Sequence, residues 1–93
     1  MQRSVLIVDD EQVLASAMGD YLARYGYTVR VEGSGEQALK SVEEESPDLM
    51  ILDYRLPRMD GLAVLRKIKE SRPEIEVVYT HNHHIVIPGG DVF

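Results

Sequence analysis

"DLMILDYRLPRMDG" runs from Asp48 to Gly61, and its reading decides how the rest of the chain is read. Leu49 to Leu52 is an unbroken apolar run of strand length, as expected of a central strand with helices over both faces. The run ends on a lone carboxylate, Asp53. Pro57 and Gly61 are turn formers, and Asp60 stands where a helix N-cap belongs, immediately before Leu62, Val64, Leu65 and Ile68 at helical spacing. That helix must stop by Arg72, because Pro73 cannot continue it.

Working outward, the same grammar repeats. "SVLIV" (Ser4 to Val8) is a second fully apolar strand, and it runs straight into Asp9, Asp10 and Glu11. "TVRVE" (Thr28 to Glu32) alternates instead, with Val29 and Val31 on one face and Arg30 and Glu32 on the other, which suits an edge strand. "IEVVYT" (Ile75 to Thr80) supplies a fourth. A first helix is expected from Val13, Leu14, Ala17, Met18, Tyr21 and Leu22, with Gly26 as its stop. A second opens at "SGEQ", where Ser34 and Gln37 have capping-box spacing ahead of Ala38, Leu39 and Val42. Strand and helix alternate throughout, so the expected class is α/β, a small doubly wound parallel sheet.

Composition narrows the function. The chain has 93 residues, no cysteine and a formal net charge of -6. One domain fits that length, and the stability margin of so small a core is narrow. Disulfides and thiolate metal sites are excluded, and a reducing cytosol suits the chain. The apolar stretch after Met1 is too short for a signal peptide or a membrane span, so a cytoplasmic protein without membrane contact is expected. The acidic charge argues against direct nucleic-acid binding, which needs a basic surface.

Ligands of doubly wound sheets bind beyond the carboxyl ends of the strands. Here those ends carry Asp9, Asp10, Asp53 and Thr80. A single acid at such a place is more often a cap, and Asp10 could cap the first helix. An acidic triplet ending one buried strand, a lone Asp ending another and a Thr ending the next are hard to read as three independent caps. If the first and third strands are neighbours, the acids converge and require a cation. Oxygen ligands alone favour a hard divalent ion such as Mg²⁺.

"VLIVDDE", "DLMILDYRLPRMDG" and "VVYT" together resemble the receiver domain of two-component response regulators, over Arg3 to Thr80. The resemblance implies a flavodoxin-like fold with strand order 2-1-3-4 and a further fifth strand. It also implies Asp53 as phosphoacceptor from a sensor histidine kinase, with Mg²⁺-dependent self-phosphorylation and dephosphorylation. Asp10, Asp53 and the backbone carbonyl of Arg55 would hold the Mg²⁺, and Asp9 would assist through water. Thr80 would hydrogen-bond the phosphoryl group and report its presence. An aspartyl-phosphate hydrolase is disfavoured, since its acid/base Asp would stand where Arg55 does.

The last thirteen residues, "HNHHIVIPGGDVF", depart from that pattern. In the family a helix, a strand ending in a phosphate-binding Lys and another helix follow the Thr. Here no Lys follows Lys69, and the expected division is a receiver core over 1-80 with an atypical tail over 81-93. The C-terminal third reads as truncated or replaced. The fifth strand is expected to be absent or improvised from Ile85 to Pro88, and the first helix to lose part of its cover. Impaired switching follows, with a remnant that serves as a binding or dimerisation module as the alternative. A homodimer through the tail is expected, fold-back within one chain being the other solution, and any output domain lies outside these residues. His81, His83 and His84 are read as solvated loop histidines in preference to a Zn²⁺ or Ni²⁺ site.

Overall fold

The computed structural model describes residues 3-56, 58-81 and 84-86. Its elements are β1 (Ser4–Val8), α1 (Gln12–Arg24), β2 (Thr28–Glu32), α2 (Gly35–Glu44), β3 (Leu49–Asp53), α3 (Gly61–Ser71), β4 (Glu76–His81) and β5 (His84–Val86). The sheet order is β2-β1-β3-β4-β5. Its first four strands are parallel, with Val8 paired to Leu52 and Asp53 paired to Thr80.

The apolar runs of β1 and β3 are continuous because each face of the sheet has its own core. Leu6, Val8, Met50 and Leu52 point to α2 and α3, where they meet Ala38, Val42, Val64 and Ile68. Val5 and Ile7 point the other way, to Ala15, Met18 and Leu22 of α1. Full burial of a side chain such as Leu6 stabilises by about 1.5 to 3 kcal/mol. The alternating β2 lies at an edge of the sheet, as its pattern predicts, with Val29 and Val31 packed toward α1.

The caps follow the sequence closely. Ser34 Oγ accepts from the Gln37 N–H at 3.2 Å, and Asp60 Oδ1 accepts from the Ala63 N–H at 2.8 Å. Gly26 ends the first helical segment with φ 91°, a left-handed conformation that glycine adopts without strain. Asp10 caps nothing: the residue before α1 is Glu11, with no side-chain cap bond.

Two helical stripes differ from expectation. The residues of α1 buried against the sheet are Ala15 and Gly19, flanked by the half-buried Met18 and Leu22, whereas Val13, Leu14 and Tyr21 are exposed. The helix lies so close to β2 that a Cβ on Gly19 would stand 3.2 Å from Val29 Cγ1, so small residues face the sheet. On α3 the inward stripe is Gly61, Val64 and Ile68, and Leu62 is 40% exposed instead of buried.

A fifth strand is present, but it covers His84–Val86 and shares only Ile85 and Val86 with the expected segment from Ile85 to Pro88, whose last two residues lie outside the described ones. β5 folds back antiparallel on β4, pairing Thr80 with Ile85 and His81 with His84, and so takes the outer side of β4. The expected roles of Pro57, Pro88, Gly89 and Gly90 and of the histidine side chains lie outside the described residues.

Candidate functional site

Three strands deliver the site. β1 ends one residue before Asp9, β3 ends on Asp53, and β4 carries Thr80 in register with Asp53. Each strand end is fixed by backbone bonds: Asp9 N–H donates to the Glu32 carbonyl at 3.0 Å, and Tyr54 N–H donates to the Thr80 carbonyl at 2.8 Å. Since β1 and β3 are neighbours, one carboxylate oxygen each from Asp9, Asp10 and Asp53 falls within 4.8 Å of the others. Asp9, Asp53 and Thr80 are buried, and Asp10 faces solvent.

The turns after the strands orient the acids. Asp9 Oδ1 accepts from the Glu11 N–H at 2.9 Å, and Asp53 Oδ1 accepts from the Arg55 N–H at 3.0 Å. In both cases the carboxylate closes a turn on a backbone amide two residues ahead, as Asp side chains do. The pairwise cost of the cluster is considerable: two carboxylates about 5 Å apart repel by roughly 3 kcal/mol at an effective dielectric near 20. A small, hard divalent cation removes that cost, and an all-oxygen donor set with one solvent-facing member fits Mg²⁺. Arg55 lies in the turn that closes on Asp53, so its backbone belongs to the same loop as the acid.

The start of α3 packs directly against the strand that carries Asp53. Gly61 N–H donates to the Tyr54 carbonyl at 3.0 Å, and a Cβ on Gly61 would stand 2.5 Å from the Asp53 carbonyl oxygen and 2.9 Å from Tyr54 Cα. Gly61 therefore does more than shape a loop, and in the sequence only its place after Asp60 hinted at it. Arg58, between them, has φ 66°, which a non-glycine residue adopts at a cost.

Sequence reasoning did not anticipate Tyr79. Its ring meets Tyr54 edge-on, with centroids 6.2 Å apart, one residue before Thr80 and one after Asp53 respectively. Its hydroxyl is buried with no hydrogen-bond partner among the described residues. Burial raises its pKa above 10.0, the Tyr54 and Asp60 charges raise it further, and Arg66 opposes them. The signal available in the sequence was a tyrosine directly after the two valines of β4 and directly before Thr80.

No lysine reaches the acids. Lys40 stands on α2, and Lys67 and Lys69 stand on α3, where Lys69 Nζ donates to the Ile75 carbonyl at the opposite, amino-terminal end of β4. A concavity of about 630 Å³ lies between α2 and α3, floored by Leu39, Val42 and Ile68, but none of Asp9, Asp10 and Asp53 lines it. Converging charge marks the site here, and volume does not.

The sequence profile of the response regulator receiver domain matches residues 5-86. The alkaline phosphatase synthesis transcriptional regulatory protein PhoP of Bacillus subtilis is 39% identical over 72 residues, covering 77% of this chain and 30% of its own length. The probable transcriptional regulatory protein TcrX of Mycobacterium tuberculosis is 37% identical over 75 residues, covering 81% and 32%. The chain thus spans about a third of the length of these curated relatives. Among solved structures, a CheY-like response regulator receiver domain protein from Methanospirillum hungatei superposes with a TM-score of 0.85 at 27% identity, covering 87% of this chain and 65% of its own. The N-terminal domain of a response regulator receiver protein from Methanoculleus marisnigri gives 0.81 at 31% identity, covering 85% and 66%. Fold order, acid cluster and sequence similarity agree: the chain belongs to the receiver domain family of two-component response regulators.

Proposed function

We propose that this chain takes a phosphoryl group on Asp53 from the phosphohistidine of a sensor histidine kinase. The observation that carries the reading is the meeting of Asp9, Asp10 and Asp53 beside Thr80 at the carboxyl ends of three adjacent strands. An Asp53 carboxylate oxygen attacks phosphorus in line as the phosphorus–nitrogen bond of the donor breaks. The electron pair returns to the imidazole, which takes up a proton. Thr80 donates its hydroxyl to a phosphoryl oxygen, a role supported by its pairing with Asp53 on the neighbouring strand. Asp10, Asp53 and the Arg55 carbonyl would hold Mg²⁺, with Asp9 acting through water. When bound, the ion offsets the charge of the phosphoryl oxygens and of the acid cluster.

The reading includes a handicap. Within these residues no lysine can pair with the phosphoryl oxygens, and losing about one charged hydrogen bond, on the order of 1.5 to 3 kcal/mol, slows or weakens the reaction tens- to hundreds-fold. Residues 1-80 act as the receiver core in the cytoplasm and 81-93 as an atypical tail, with any output residing outside the receiver. No described helix is long and apolar enough to cross a membrane. A tail-borne homodimer would have to form at the far side of β5, since β5 itself takes the side of β4.

Titration with Mg²⁺ followed by amide NMR tests the pocket. Signals of Asp9, Asp10, Asp53 and Arg55 should move together and saturate. Equal binding by Asp10→Ala would show the assignment to be wrong.

A further inference from the structure

We infer that a second copy of the chain pairs along β2, antiparallel, so that the two sheets become one. β2 is the outermost strand on its side among the described residues. Thr28 N–H donates to the Arg3 carbonyl at 2.9 Å and the Glu32 carbonyl accepts from Asp9 N–H at 3.0 Å, so residues 28 and 32 turn their backbone groups toward β1. By the alternation of a parallel ladder Arg30 does the same, and Val29 and Val31 turn theirs to the open edge.

That parity limits the ways a second β2 can add. Directly opposed, hydrogen-bonded pairs must be drawn from the outward residues, and inward residues then face one another with their side chains closest. A two-fold axis at Val31 satisfies both conditions. Val31 exchanges both bonds with its own copy, and Arg30 stands opposite Glu32 of the second β2, twice by symmetry. An axis at Arg30 would set guanidinium against guanidinium, and one at Val29 would set Arg30 against Thr28. Opposite charges across a non-hydrogen-bonded pair stabilise a sheet, and like charges destabilise it. The charges of "TVRVE" therefore select one register, and in that register the strand is complementary to itself.

The flanks leave room for it. On the α1 side an open groove of about 230 Å³ is lined by Ser16, Gly19, Asp20, Ala23, Val29 and Val31, whose small helical residues let a second valine pair approach. On the α2 side a groove of about 290 Å³ is lined by Glu32, Gln37, Lys40, Ser41 and Glu44. Arg30 is held on that side by Nη2 donating to the Glu45 carbonyl at 2.6 Å and Nη1 to the Ser41 carbonyl at 3.4 Å. Nη1 also stands 3.8 Å from the Glu45 carboxylate, a solvent-facing and therefore weak ion pair that a carboxylate from across the edge can join through the remaining guanidinium N–H groups. This inference is independent of phosphorylation.

Sedimentation of the full chain from micromolar to millimolar concentration, without phosphodonor, is the test. The mass should rise with concentration toward twice 10.5 kDa. Arg30→Glu and Glu32→Arg should each weaken association by about tenfold or more, because each turns two attractive pairs into repulsive ones. The double variant R30E/E32R restores the pairs and should recover association, which separates a contact effect from a folding defect, since both substitutions are still present. Hydrogen exchange at the Val31 amide should slow as the dimer forms. A monomer at every concentration, unchanged association in the single reversals, or a double variant that stays monomeric would overturn the inference. Unchanged association is the result a dimer held by residues 81-93 would give.

Discussion

Gly61 and Asp53 touch through their backbones: a Cβ on Gly61 would lie 2.5 Å from the Asp53 carbonyl oxygen. The obstacle is backbone on both sides, so no side chain can swing away to relieve it. The helix that begins at Gly61 is thus held against the strand that presents the acid, and a change in one must move the other. Gly61→Ala should lower unfolding stability by about 1 to 3 kcal/mol, the usual cost of overpacking, and should shift the Asp53 and Tyr54 amide signals. Denaturant unfolding with an NMR overlay checks both. Unchanged stability would mean that α3 does not sit this close.

Asp9, Asp10 and Asp53 bring three carboxylates within 4.8 Å of one another, and like charges that close repel. Asp53→Asn keeps a side-chain acceptor for the Arg55 N–H and removes one charge from the trio. In chelator it should raise stability by about 1 to 3 kcal/mol, and with millimolar Mg²⁺ the gain should shrink as the parent becomes stabilised by binding. Paired thermal melts with and without Mg²⁺ measure the difference.

Tyr79 carries a buried hydroxyl without a partner among the described residues, so Tyr79→Phe should be neutral or stabilising by about 1 kcal/mol. The pH dependence has a definite sign. Burial first, then the Tyr54 and Asp60 charges, raise the folded-state pKa above 10.0. The neutral phenol is therefore favoured by folding, and its contribution is complete below 10.0 and falls away as the pH climbs through the folded-state value. Tyr79→Phe should flatten the loss of stability above pH 10 relative to the parent, as urea titrations at stepped pH would show.

Arg58 adopts φ 66° in the loop between Asp53 and α3, and its ion pair with Glu36 at 3.6 Å is exposed on both sides. Glycine reaches that conformation without strain, and an exposed pair contributes little. Arg58→Gly should therefore be neutral to stabilising, by up to about 1 kcal/mol, despite losing a charge pair. A clear destabilisation in thermal melts would show that the Glu36 contact matters more than the backbone.

Much of the fold was legible because β1 and β3 are apolar without a break and end on acids, so both strand position and strand polarity can be read from the same few residues. Asp9, Asp10, Asp53 and Thr80 follow from that reading, since a parallel sheet brings like ends together. The inward face of α1 was not legible. The helix bears two apolar stripes, and periodicity alone does not say that Ala15 and Gly19, the smaller one, faces the sheet. Close approach to Val29 decides it, and that is a tertiary fact. The hairpin from β4 to β5 was only half legible, because a three-residue strand carries too little pattern to set its direction. Tyr79 and the close approach of Gly61 are likewise invisible until neighbouring strands and helices are in place.

The central claim is that Asp53 accepts a phosphoryl group. Intact-mass spectrometry after incubation with a small phosphodonor and Mg²⁺, with Asp53→Asn alongside, tests it most directly. The parent should gain the mass of one phosphoryl group slowly and incompletely, peptide mapping should place it on Asp53, and Asp53→Asn and a chelator control should gain nothing. No labelling of the parent, or equal labelling of Asp53→Asn, would contradict the phosphoacceptor reading. Rapid and complete labelling would contradict the handicap attributed to the missing lysine.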